Sequence, residues 1–302
     1  MKKTILAVII VFTLLAFWGC GKTEASSSAA ASASSSVPSQ AVLSQADSSS
    51  FSKALGAVSE ASSNSSKVYE ICGKSNKLSA KAVENMRKWR ADAKAYGEQY
   101  PATVFLNDQP QSNTVYLTFD DGPDDTITPK VVDILAENNV CGNFFFVGRE
   151  IKKHEDVVKK AYANHNFVGS HCFSHTRLTS MTSEQIKKEI TDTNELIKGI
   201  TGSAPSFVRP PYGDINDSVI ADFEALNLKI ILWSIDTLDW SQREVANIVK
   251  NVSENLRPGD IILMHSNGDK TKTAKALPEV IQVIKDKGYA FGTFNRLQQQ
   301  PN

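Results

Sequence analysis

Two adjacent carboxylates, Asp120 and Asp121, close the apolar run 115–119 and are followed at once by Gly122 and Pro123. The run reads as a strand, so the pair stands at a strand mouth where the chain must turn. Because side chains alternate along an extended chain, the two neighbours face different directions and can do different work. One can hold a metal ion while the other moves a proton. Taken alone, the stretch is also an ordinary polar turn, since Asp and Gly are the usual residues where strands end.

Other reactive residues share that placement. Of the five histidines, His171 follows the apolar run 167–170, His175 lies four residues on, and His265 follows the run 261–264. Arg209 follows Phe207 and Val208, while Asp236 and Asp239 follow the run through Trp233. A parallel sheet or barrel gathers its strand ends on one face, where active sites are built. A separation of four lets His171 and His175 converge on one ion across a helical turn or a tight loop. The zinc-protease helix motif is excluded, because it needs Glu directly after its first histidine and Cys172 stands there. Two imidazoles and one carboxylate, from Asp120 or Asp121, make a three-ligand site open to water, the form that catalytic zinc takes. Cys172, the immediate neighbour of His171, should point away from it. His154 and His165, among Lys, Glu and Asn, read as solvent-facing, and Trp233 reads as core.

The elements that must position these residues alternate. Strands are expected at 115–119, 143–147, 167–170, 206–208, 229–234, 260–264 and 289–294. Helices are expected at 77–96, 128–137, 155–163, from Thr182 with Gln185 in capping-box spacing, 217–226, from Ser241 with Glu244, and 273–287 with Gly288 as its stop. Repeated strand and helix argues for an α/β fold, a parallel sheet with crossover helices, open or closed into a barrel. No Gly-rich phosphate loop follows the first strand, which removes the commonest use of the open form.

Over residues 113–296 the chain resembles the polysaccharide deacetylases, carbohydrate esterase family four. Five motifs run in order: Thr118-Phe119-Asp120-Asp121-Gly122-Pro123; His171 with His175; Arg209-Pro210-Pro211-Tyr212-Gly213; Asp236 through Asp239-Trp240; and Leu263-Met264-His265. The resemblance implies a distorted (β/α) barrel of about seven to eight parallel strands. It implies a divalent metal, zinc with cobalt or another ion as alternatives, held by Asp121, His171 and His175. Asp120 is then the catalytic base, Arg209 its partner, the Tyr212 amide an oxyanion donor, and Asp239 the group that holds His265 cationic as the acid. Trp240 and Leu263, with Tyr212, line the substrate pocket. The implied reaction is hydrolysis of N-acetyl groups from a cell-envelope glycan, with peptidoglycan N-acetylglucosamine foremost. Chitin-like oligomers, exopolysaccharide and O-acetyl esters are rival substrates, and a non-catalytic glycan-binding protein is the rival class. The family usually has Ser or Thr where Cys172 stands, so the histidine loop here should be looser or differently supported, and the thiol is a candidate for redox sensitivity.

The rest of the chain places this domain. Met1, Lys2 and Lys3 precede an apolar run, 5–18, shorter than the roughly 20 residues of a spanning helix. Gly19-Cys20 then reads as a lipoprotein processing site, with Cys20 the lipid anchor. Phe17 stands where such a site usually has Leu, so an uncleaved anchor and a plain secretory signal stay open. Every version puts the chain outside the cytoplasm, as a membrane lipoprotein or secreted to the wall. Segment 21–66 is dominated by Ser and Ala and reads as a flexible linker. Segment 67–112 is a helical extension that pads the main domain or lies outside it, with Met86 and Trp89 on its apolar side. The 302 residues carry 33 basic and 33 acidic side chains, net zero, which leaves no basic field for nucleic acid. The expected partners are a glycan polymer and, through the N-terminus, a membrane, with the protein a monomer. With Cys20 lipidated, Cys72, Cys141 and Cys172 are an odd number, so disulfides are not the scaffold.

Overall fold

The computed structural model describes residues 67–108, 113–241 and 244–298. The export segment with Cys20 and the linker 21–66 lie outside the described residues. In chain order the elements are α1 (Ala80–Gln99), β1 (Val104–Phe105), β2 (Thr114–Asp120), α2 (Thr128–Glu137), β3 (Asn143–Phe146), α3 (Gly148–Ile151), α4 (Glu155–Ala163), β4 (Phe167–Ser170), α5 (Ser183–Thr201), β5 (Phe207–Val208), α6 (Asp217–Ala225), β6 (Lys229–Ile231), β7 (Ile235–Asp236), α7 (Val245–Ser253), β8 (Ile261–His265), α8 (Thr271–Asp286), β9 (Ala290–Phe291) and α9 (Phe294–Gln298). The strands pair in parallel in the order β1-β6-β5-β4-β3-β2-β8-β7, with β9 added beside the start of β2. The sheet curls into a distorted (β/α) barrel.

Alternation along the strands builds two apolar layers and decides which way the reactive residues face. Val115, Leu117 and Phe119 of β2, Phe144 and Phe146 of β3, and Ile262 and Met264 of β8 join the layer under the helices. Tyr116, Phe145, Ile261 and Leu263 point the other way, into the barrel. Asp120 and His265 carry the inward parity of Tyr116 and Leu263, so both turn toward the barrel mouth. The interior is largely aromatic, with Phe294 stacked on Tyr116 and within 5.5 Å of the rings of Phe167 and Phe207. Each such ring contributes about 1.5–3 kcal/mol by leaving water.

The helices largely follow the sequence pattern. Thr182 and Gln185 form the expected capping box of α5, and Gly202 ends it in the left-handed region at φ 87°. Four features differ. The apolar run 229–234 is two strands, because Leu232 N–H still donates to Phe105 while Ser234 N–H donates to Ile261, so the chain changes neighbours within three residues. Ser241 and Glu244 make no capping box: Glu244 gives α7 no side-chain cap, and Ser241 Oγ bonds Ser75 Oγ instead. The run 289–294 is strand for two residues only, since the Phe294 N–H donates to Asn143 Oδ1 and starts α9. β1, too short to read from pattern, adds an edge strand from segment 67–112, and Cys72 bridges Ile235 beyond the other edge. That segment therefore packs on the sheet. Among the described residues no helix is long and apolar enough to cross a membrane, and Cys72, Cys141 and Cys172 are free thiols.

Candidate active site

Neighbouring strand ends bring the reactive residues together. Asp120 is the register partner of His265 across β2 and β8, and Ser170, just before His171, is the partner of Val208, just before Arg209. Arg209 N–H donates to the Ser170 carbonyl and His171 N–H to that of Phe146, so the ladder continues one residue into the loops. The strands thus fix the spacing and the loops supply the direction.

Asp121, His171 and His175 offer one oxygen and two nitrogens within 4.8 Å of one another. Asp121 Oδ1 is 3.1 Å from His175 Nε2 and 3.6 Å from His171 Nε2. His171 Nδ1 sits 2.7 Å from the Arg209 carbonyl, where only a donated proton fits. That leaves Nε2 with its lone pair toward the site, as a metal ligand requires. Burial acts to raise the Asp121 pKa, but its close contacts with the His171 and His175 rings and the charge of His265 outweigh it and hold the carboxyl below its usual range. The donor set is that of a catalytic site for a divalent ion. Both Asp121 and His175 sit in the left-handed region, at φ 71° and 58°, so the loops are bent to make the triad.

Asp120 stands beside the triad with one oxygen committed. Arg209 Nη1 donates to its Oδ1 at 2.7 Å, and Oδ2 faces His171 Nε2 at 3.8 Å. Arg209 is fully buried, and three further donors go to Thr118 Oγ1 and to the carbonyls of Ile231 and Leu232. The guanidinium lies over the Phe145 ring, 4.4 Å from its centre. Burial pulls its pKa down and Asp120 pushes it back up, and an arginine so placed stays charged.

Across the mouth, His265 Nδ1 meets Asp239 Oδ1 at 2.7 Å. Asp239 Oδ2 accepts from the His265 backbone N–H and from Thr273 Oγ1. Burial opposes charge on the imidazole, yet Asp239, with Asp121 and Asp120 behind it, pushes the His265 pKa up to about 9. His265 is therefore a cation at neutral pH with Nε2 free to donate. The cavity between these groups is about 510 Å³, and Tyr212, Trp240 and Leu263 line it as expected. Tyr212 and Trp240 are exposed at the rim, and Asp236 Oδ1 accepts from Trp240 Nε1 at 3.3 Å.

Three expectations change. Trp233 is buried in the core but also lines the cavity, because its ring spans from the barrel interior to the mouth. His154 is largely covered and bonds Asp125 through Nδ1 at 2.7 Å, whereas His165 is exposed. Cys172 is fully buried at φ 61°, and burial pushes its thiol pKa far up, which makes it inert as a redox centre. The histidine loop is braced from α5: Glu189 Oε2 accepts from the N–H groups of Phe173 at 2.9 Å and Ser174 at 2.7 Å. Nothing in the sequence separates Glu189 from the solvated charges around it, so this support was not foreseen. Thr273, holding Asp239, was missed for the same reason.

A family model described as polysaccharide deacetylase matches residues 107–231. A peptidoglycan-N-acetylglucosamine deacetylase of Bacillus cereus is 36% identical over 187 residues, covering 61% of this chain and 68% of that protein. One from Listeria monocytogenes is 36% identical over 200 residues, covering 65% of this chain, which spans only 42% of the relative's length. Among solved structures, a peptidoglycan N-acetylglucosamine deacetylase bound to an N-hydroxybenzamide superposes with a TM-score of 0.63 at 34% identity, over 65% of this chain and 92% of that one.

Proposed function

Since the chain belongs to the polysaccharide deacetylase family, we propose that it hydrolyses the N-acetyl group of N-acetylglucosamine in peptidoglycan, releasing acetate and a free amino sugar. The observation that carries this reading is the pairing of two oppositely prepared groups across one cavity. Asp120 is an acceptor anchored by Arg209, and His265 is a cation held by Asp239. Amide hydrolysis needs both, a base for the attacking water and an acid for an amine that otherwise leaves very poorly.

Asp121, His171 and His175 would hold a divalent ion, zinc in this proposal. When bound, it lowers the pKa of a water to about 7 and polarises the acetyl carbonyl. The chain supplies the remaining steps. Asp120, immobilised through Oδ1, takes the proton of the attacking water on Oδ2. The backbone amide of Tyr212 donates to the oxyanion that develops on the acetyl oxygen, a contribution of roughly 3–4 kcal/mol for a well-placed donor. His265 delivers its Nε2 proton to the departing nitrogen. Trp240, Leu263 and Trp233 give the acetyl methyl an apolar wall.

The substrate is supported by relatives whose names specify peptidoglycan N-acetylglucosamine. A wall substrate puts the enzyme outside the cytoplasm, and in this proposal Cys20 carries the lipid that holds it at the membrane. Release of the Cys20→Ala protein into the medium tests the anchor. The function is tested by acetate release from purified peptidoglycan and from chito-oligomers, before and after chelation and on return of zinc or cobalt. Faster release from chito-oligomers would replace the substrate assignment, and chelator-insensitive release would remove the metal from the reaction.

A further inference from the structure

One wall of the catalytic cavity comes from none of the five motifs. Asn85, Met86 and Trp89, on one side of α1, line it, and α1 ends before the stretch 107–231 that the family model matches. Trp89 is engaged twice. Its ring stacks on Trp233 with centroids 5.0 Å apart and planes 30° apart. Its indole N–H donates to the Gly213 carbonyl at 3.1 Å. Gly213 follows Tyr212, and both hold left-handed backbone, at φ 61° and 62°. That conformation is natural for glycine and unfavourable for tyrosine, so it persists only where the surroundings impose it. The fit is close: a Cβ added at Gly213 would lie 2.5 Å from the Trp89 ring.

We infer that Trp89 is a positioning residue of the deacetylase site, seating the turn 211–213 so that the Tyr212 amide meets the oxyanion. The inference rests on the role proposed for that amide. The indole bond fixes the peptide plane after Gly213, and the stack on Trp233 ties the turn to the wall that also packs on Arg209. An oxyanion donor acts only in the transition state, so a displaced amide lowers turnover and leaves ground-state binding alone. Segment 67–108 is then part of the catalytic apparatus through one side chain on α1.

The test replaces Trp89 by 3-benzothienylalanine, which keeps the bicyclic shape and the stack while exchanging the N–H for sulfur, and separately by Phe. The N–H-free analogue should lower kcat about five- to tenfold, the worth of one neutral hydrogen bond. KM should stay within about twofold, with zinc affinity by calorimetry unchanged. Trp89→Phe should lose at least as much turnover. Parent kcat in the analogue, a loss confined to KM, or a fall in zinc affinity would each overturn the inference while leaving the deacetylase reading intact. A parent protein that releases no acetate sinks that reading and this inference with it.

Discussion

Replacing Asp239 by Asn should convert His265 from a cation to a neutral imidazole in the working pH range. Asp239 Oδ2 accepts from the His265 backbone N–H and Thr273 Oγ1, so in the variant the amide oxygen must take that side. The amide NH2 then faces His265 Nδ1, where the carboxylate oxygen stood at 2.7 Å. A donor there favours the tautomer with the proton on Nε2 and Nδ1 bare. The parent imidazole sits at about 9 against an ordinary 6.5, and without the Asp239 charge, burial offsets the weaker pull of Asp121 and Asp120 and returns it to about 6.5. That difference is worth roughly 3 kcal/mol. At pH 8 about nine-tenths of the parent histidine is protonated and about 3% of the variant's, so kcat/KM there should fall about 30-fold. At pH 6 about three-quarters of the variant's histidine is protonated, so the deficit should nearly vanish. The assay is acetate release across pH, with zinc content checked in parallel. The linkage has a definite sign. A histidine raised on folding stabilises fully below its unfolded pKa near 6.5 and loses that contribution as pH climbs through about 9. Thermal melts of the parent should therefore decline over that window, and those of the variant should not. An alkaline limb at the same pH in both proteins would refute the reasoning.

The division of roles proposed for the carboxylate pair predicts that Asp121→Asn lowers zinc affinity, whereas Asp120→Asn keeps the metal and loses turnover; equal metal loss in calorimetry would show the pair wrongly divided. Removing the brace on the histidine loop with Glu189→Ala should weaken zinc binding about tenfold, and Glu189→Gln, which keeps an acceptor for the Phe173 and Ser174 amides, should recover most of it. Wild-type affinity in Glu189→Ala would mean that the loop is held without it. Because Cys172 is sealed from solvent, the folded enzyme should be as indifferent to peroxide as Cys172→Ser, and a protective effect of that substitution would restore the redox reading.

How the site follows from sequence is clearest at Asp120. Its parity with Tyr116 and Thr118 can be counted along β2, and parity alone turns it into the barrel, where Arg209 waits behind the end of β5. The same counting carries His265, two residues after Leu263 on β8. Counting fails where the chain leaves the ladder. The run 229–234 has the composition of one strand, but the guanidinium of Arg209 takes two of its carbonyls and the chain changes partners there. Glu189 fails for another reason: its job is to accept two backbone N–H groups from a loop that is distant in sequence, and a surface-like helix pattern carries no trace of that.

By itself, then, the sequence determined the order of the longer strands and helices, the alternation of faces along β2 and β8, and the set of reactive groups gathered at the strand ends. Those are local properties, set by periodicity and by residue type. Tertiary structure alone decided how the groups were primed. His265 becomes a lasting cation because Asp239, whose far oxygen is held by Thr273 of α8, stands against its Nδ1, His171 presents Nε2 because the Arg209 carbonyl takes Nδ1, and Trp89 reaches Gly213 across 124 residues. Each depends on a hydrogen bond between segments far apart in the chain, and no local pattern specifies such a bond.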